Sequence, residues 1–161
     1  VLGVDPGTAA TGYGVVDTGN GGRGRPPLHF GHLIECGVIT FGRRRTLPER
    51  LAELHAEIAA LIVRHRPDVL ALENAFYHKN VRTTLVLGHA RGVVLLAAAQ
   101  ADLVIAEYAP ATVKRAVVGR GDARKPQVAA MVARLLRLRQ PPRPADASDG
   151  VAVALTHVLR T

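Results

Sequence analysis

Four carboxylates sit where the sequence could put them to chemical use. Asp5 follows the apolar run "VLGV", Glu73 closes "VLALE", and Asp146 and Asp149 lie three residues apart in "ADASDG". Three-residue spacing puts two side chains on one helical face. Acids gathered in one pocket repel one another unless a cation neutralises them. Oxygen donors with no sulfur suit Mg2+ or Mn2+, and two such ions can clamp the attacking water and the leaving oxygen of a phosphodiester. The chemistry on offer is therefore metal-assisted hydrolysis. Each acid also has a plainer role. Asp5, ahead of Pro6-Gly7, is a good turn residue. Glu73 fits a strand end facing solvent. The "DASD" string fits the charge-favourable start of a helix.

The charge balance bears on the choice. The chain of 161 residues has 21 Lys+Arg against 13 Asp+Glu, a formal net charge of +8, and 18 of the cations are Arg. A small protein this basic usually meets a polyanion, with nucleic acid the leading candidate, and Arg suits bidentate phosphate contact better than Lys does. Four acids that serve no purpose on such a chain would weaken DNA binding, so the combination favours a metal-dependent nuclease. The single cysteine, Cys36, excludes an intramolecular disulfide and a cysteine-built zinc site. No secretory n-region is visible, and no uncharged apolar run reaches the roughly 18 residues of a membrane span. These features set the expectation of a cytoplasmic protein without a membrane partner.

The elements that must position the acids can be read along the chain. Residues 1–5, 12–17 and 29–41 read as three strands of an antiparallel meander, with a turn-rich loop at 18–28. The segment from Thr46 to Asp68 reads as a helix: Thr46 and Glu49 fit a capping box, Pro48 lies in the first turn, and Pro67 ends it. Leu51, Leu54, Ile58, Leu61 and Ile62 form its apolar stripe. A short buried strand follows at 69–73, then a helix rich in small residues at 82–101, with Gly88, Ala90, Gly92, Ala97 and Ala98. Residues 103–108 read as a strand, and 111–118, 125–138 and 146–159 as helices. The expected α/β order, β-β-β-α-β-α-β-α-α-α, predicts one domain over 1–161, a mixed sheet with helices packed on it. In this frame Asp5 and Glu73 each close a strand and could converge, because a mixed sheet brings the ends of neighbouring strands close, and a helix crossing that edge could add Asp146 and Asp149. His157 lies eight residues past Asp149, roughly 12 Å along a helix at 1.5 Å per residue. That is too far to share an ion, and it reads as a helix-end histidine.

The strings "LGVDPGTAATGYGVV", "ALENAFYHKN", "LGHARGVVLLAA", "VKRAVVGRGDARKPQV" and "ADASDGVAVALTH" resemble, in order and over nearly the whole chain, the RuvC family of Holliday-junction resolvases. The resemblance implies a ribonuclease-H-like fold, a five-stranded mixed sheet flanked by helices on both sides. It implies a homodimer with one active site per subunit that nicks two like-polarity strands of a four-way DNA junction in recombination and repair. A partner in the branch-migration complex of that pathway is expected. So is Mg2+ as cofactor, two ions per subunit, with Mn2+ as the substitute. The family's catalytic acids fall on Asp5, Glu73, Asp146 and Asp149; some members carry His in the third place. Lys114 and Lys125 match basic positions that the family places near the scissile phosphate, and both lie at or near expected helix starts, which favour phosphate. The residue matching Phe76 inserts at the junction core.

DNA contact is expected from "AFYHKNVR", which offers Phe76, Tyr77, Lys79 and Arg82. Aromatics beside cations suit unstacked bases, although Phe76 and Tyr77 could also anchor a loop into the core. The run Arg43-Arg44-Arg45 fits a solvated loop. Gly7 would let a phosphate approach the backbone, and Thr8 would contact backbone or DNA. Two other classes stay open on the residues: a non-catalytic junction- or DNA-binding protein, and an actin-like nucleotide-binding module, for which "DPGT" would be a phosphate loop.

Overall fold

The computed structural model describes residues 1–19, 31–42, 44–74 and 80–161. Five strands form one sheet: β1 (Leu2–Asp5), β2 (Ala10–Asp17), β3 (His32–Thr40), β4 (Val69–Glu73) and β5 (Val104–Tyr108). Their spatial order is β3-β2-β1-β4-β5. The first three pair antiparallel, as expected for a meander, while β4 pairs parallel to β1 and β5 parallel to β4. The helices are α1 (Leu47–His65), α2 (Val81–Gln100), α3 (Pro110–Val118), α4 (Lys125–Leu135) and α5 (Ala145–Arg160).

Local chemistry accounts for the helix limits. The Glu49 carboxylate accepts from the Thr46 backbone N–H at 2.7 Å and from its hydroxyl at 2.9 Å, and Pro48 lies in the first turn of α1. The helix ends at Arg66, whose left-handed backbone (φ 45°) returns its N–H to the Ile62 carbonyl before Pro67, a residue that disfavours helix before it. α3 opens on Pro110 and closes on Gly119 at φ 87°, the usual left-handed C-terminal glycine. Gln127 caps the start of α4 by accepting from the Arg124 N–H at 2.8 Å.

Strand alternation sorts the core into two layers. Leu2, Val4, Leu70 and Leu72 face α1 and α2, where they pack with Leu54, Ile58, Leu61, Val94 and Ala98. Ala71 and Val16 face the other way, toward α3, α4 and α5. α5 is buried almost without interruption from Ala147 to Thr156, as befits a helix covered on several sides. It can lie this close because β1 and β2 carry glycines beneath it. A Cβ on Gly14 would stand 2.5 Å from Val151 Cγ2, and one on Gly150 would stand 2.5 Å from Tyr13 Cα. Glycine inside a strand marks such close approach.

α2 is the one described helix whose length and hydropathy would suit a membrane span. It carries Arg82 and Arg91, and Ala90, Val94, Ala97 and Ala98 bury against the core. Its outer side exposes Val81, Leu85 and Leu96, with Gly88 and Gly92 open between them.

Candidate active site

The acids arrive from three elements. Gly3 pairs with Ala71 and Val4 with Leu72 across β1 and β4, so Asp5 and Glu73 stand one step further on, both on the α5 side of the sheet. The turn after Asp5 is tight, since a Cβ on Gly7 would strike the Ala10 carbonyl. Arg50, from the first turn of α1, donates to the Thr8 carbonyl in this turn and lies over the Phe41 ring at 5.2 Å. Asp146 and Asp149 come from the first two turns of α5. A Cβ on Gly12 would fall on the Asp146 carbonyl, so the bare strand at Gly12 fixes how near that helix start comes to β2.

Asp5, Glu73 and Asp149 line one cleft of about 210 Å³ together with Lys114 and Lys125, and Val113 and Val128 form its apolar wall. Asp146 stands at the rim, half exposed, with Oδ1 3.9 Å from Lys125 Nζ. Lys125 is the first residue of α4 and reaches Asp149 Oδ2 at 2.6 Å. Lys114 lies one turn inside α3, which starts at Pro110, so Lys125 stands at a helix start and Lys114 near one.

The electrostatics follow from this crowding. Burial, and then repulsion by Glu73 and Asp149, push the Asp5 carboxyl up to about 8, with Lys125 acting in the opposite sense. Burial and Asp149 raise Glu73 to about 6 against the pull of Lys125 and Lys114. Lys125 is raised in turn, chiefly by its hydrogen bond to Asp149. Among the described residues no three His, Cys, Asp or Glu side chains are drawn together as closely as metal ligands are; the Lys125 ammonium stands among the acids instead. The donor set nonetheless fits a hard divalent cation. It is all oxygen, and buried carboxylates forced toward protonation by one another gain most from added positive charge.

The remaining candidates are dispersed. His157 is outside the cleft, where its Nδ1 pairs with the Tyr108 hydroxyl at 2.8 Å and burial lowers its pKa. Arg82 is exposed near the start of α2, and Arg45 pairs with Glu49 at 3.7 Å. Phe76, Tyr77, Lys79 and Arg43 lie outside the described residues, as does most of the 18–28 loop. Sequence reasoning missed Arg50, which is 42 residues from the carbonyl it holds. It also missed the close-approach role of Gly12, Gly14 and Gly150, for which glycine inside a strand or an apolar helix was the available signal.

A mixed sheet in the order β3-β2-β1-β4-β5 with helices on both faces, and acids at the adjoining ends of β1 and β4 beneath a covering helix, defines a protein of the ribonuclease-H-like class. The family model described as "Crossover junction endodeoxyribonuclease RuvC" matches residues 1–157. The crossover junction endodeoxyribonuclease RuvC of Halorhodospira halophila is 48% identical over 157 residues, covering 98% of this chain and 88% of that protein. A Thermus thermophilus RuvC structure superposes with a TM-score of 0.85 at 34% identity, over 98% of this chain and 92% of the other. T. thermophilus RuvC in complex with Holliday junction substrate gives 0.84 at 32% identity, over 98% and 91%. The chain belongs to the RuvC family of crossover junction endodeoxyribonucleases, and it is a DNA endonuclease.

Proposed function

We propose that the protein resolves four-way (Holliday) DNA junctions in recombination and repair, as a homodimer that nicks two strands of like polarity with the help of divalent metal ions. The observation that carries this reading is the cleft in which Asp5, Glu73 and Asp149 meet Lys114 and Lys125 on a chain of net charge +8.

Asp5, Glu73, Asp146 and Asp149 would hold Mg2+, two ions per subunit, with Mn2+ as the substitute. Bound there, the metal supplies an activated water and neutralises charge that develops on the phosphate. The protein groups do the rest. Lys114 and Lys125 present ammonium donors to the phosphate oxygens. The raised pKa of Lys125 keeps it charged throughout the working range. Val113 and Val128 exclude water from one side and strengthen every charge interaction inside. Arg82, Lys79 and the aromatic pair Phe76 and Tyr77 would supply further DNA contacts.

The exposed stripe Val81, Leu85 and Leu96, with Gly88 and Gly92 open between them, suits close packing of α2 on its symmetry mate. The two-fold of such an isologous dimer would match that of a junction. A branch-migration complex is the expected partner in the same pathway. A purely DNA-binding role leaves the buried acids unexplained, because they would repel the phosphates.

Incubation of the protein with an end-labelled four-way junction tests the reading. Paired, symmetric nicks should form with Mg2+ and none with chelator. Metal-free binding should fall steeply with salt, by counterion release, yet favour the junction over linear duplex. Equal affinity for both DNAs at moderate salt, or no cleavage under any divalent ion, would refute it.

A further inference from the structure

We propose that Asn74, Glu107 and Arg91 form a positioning network that aims the Glu73 carboxylate from the opposite face of the sheet. The inference rests on Glu73 being one of the metal-holding acids, as argued above.

β4 alternates cleanly. Ala71 and Glu73 lie on the α5 side of the sheet, Glu73 in the cleft, whereas Leu70 and Leu72 face α1 and α2. Asn74 turns back to the α2 side and is buried there. Its Nδ2 donates to Glu107 Oε2 at 2.8 Å, and Arg91 of α2 pairs with the same carboxylate oxygen. Its backbone N–H donates to the Tyr108 carbonyl at 2.8 Å, extending the β4–β5 ladder one step past the Glu73–Tyr108 pair. The peptide that follows Glu73 is thus held through its N–H, through the next side chain, and through Glu107 to a helix.

Such a hold is needed here. Glu73 is the last residue of β4, and a frayed strand end would let its carboxylate swing out to water. Packing alone does not account for the amide. Asn74 Oδ1 is buried without a hydrogen-bond partner among the described residues, a loss that an apolar side chain of the same size would avoid. A local cost beside a functional group, with orientation as the evident gain, is the pattern that functional sites carry.

The test uses Asn74→Leu, Arg91→Met, Arg91→Lys and Glu73→Gln in the full chain. For Asn74→Leu and Arg91→Met, kcat should fall about tenfold or more, while KM and metal-free junction affinity stay within about twofold. Arg91→Lys should keep at least about half the wild-type rate, since it restores the ion pair. In metal-free protein, hydrogen exchange of the Asn74 amide should quicken about tenfold in Asn74→Leu, with the β1 amides unchanged. Wild-type kcat in folded Asn74→Leu and Arg91→Met would overturn the proposal. So would losses that follow the unfolded fraction and that Arg91→Lys does not recover. Glu73→Gln separates the two levels of inference. If it nicks normally, the reading of the acid cleft falls and takes the network with it; if it abolishes nicking while Asn74→Leu does not, the network alone is refuted.

Discussion

Lys125 Nζ stands 2.6 Å from Asp149 Oδ2, at the mouth of a cleft that also holds Asp5 and Glu73. One ammonium therefore orders one acid and offsets the repulsion among the others. Lys125→Met should lower junction nicking by about 10²-fold, in the range found when one charge-stabilising donor is removed from an active site. Metal-free junction binding should weaken by less than about tenfold, because the rest of the basic surface remains. Gel-shift and nicking assays on one junction read both quantities, and a variant that nicks at the wild-type rate would exclude Lys125 from the chemistry.

Binding and chemistry should separate at the acids. Asp5→Asn keeps the side chain's size and removes its charge. Metal-free junction binding is expected unchanged or tighter, and nicking in Mg2+ reduced by about 10³-fold or more. Glu73→Gln, Asp146→Asn and Asp149→Asn should behave alike, and pairs of them should lose little beyond the single variants, because groups that act as one unit are not additive. His157→Ala should nick almost normally, since that ring lies outside the cleft on Tyr108. Near-normal nicking by Asp5→Asn would make Asp5 a turn residue only.

The raised acids also predict a pH profile of stability. Asp5 titrates at about 8 in the folded chain and Glu73 at about 6. A carboxyl raised above its unfolded value adds stability while protonated and loses it as pH climbs through the folded pKa. Metal-free protein should therefore lose melting temperature as pH rises between about 4 and 8. Asp5→Asn should flatten the curve. Mg2+ should raise the melting temperature more at pH 8 than at pH 5, since a ligand that binds only the folded state stabilises it in proportion to occupancy. Equal slopes in wild type and Asp5→Asn, measured by calorimetry with chelator present, would contradict the assignment.

The outer side of α2 gives a prediction about assembly. Leu85 and Leu96 are more than half exposed, and a carboxylate buried between two copies without a partner is costly. Leu85→Asp should shift the protein from dimer to monomer in sedimentation at micromolar concentration and leave its fold unchanged. Paired nicking of a junction should then give way to single nicks. A wild-type chain that sediments as a strict monomer while still resolving junctions would rule the interface out.

The order and type of every element were legible in the sequence because their causes are local. Thr46, Glu49 and Pro48 start α1 and Pro67 ends it within a few residues of chain. The stripe from Leu51 to Ile62 is a period that any reader of the sequence can count. The acids, too, were visible by type and by their places at segment ends. Their convergence was decided elsewhere. Asp5 meets Glu73 because β1 and β4 pair in parallel across a long crossover, and that register is set by which faces bury Leu2, Val4, Leu70 and Leu72, not by anything near either acid. Asp149 enters the cleft while Asp146 stays at its rim because Gly12, Gly14 and Gly150 let α5 settle on β2 in one position. Arg50 beneath the Asp5 turn and Glu107 beneath Asn74 are contacts across 42 and 33 residues. Side chains so far apart along the chain share no local pattern; only the packing of helices on a twisted sheet brings them into contact.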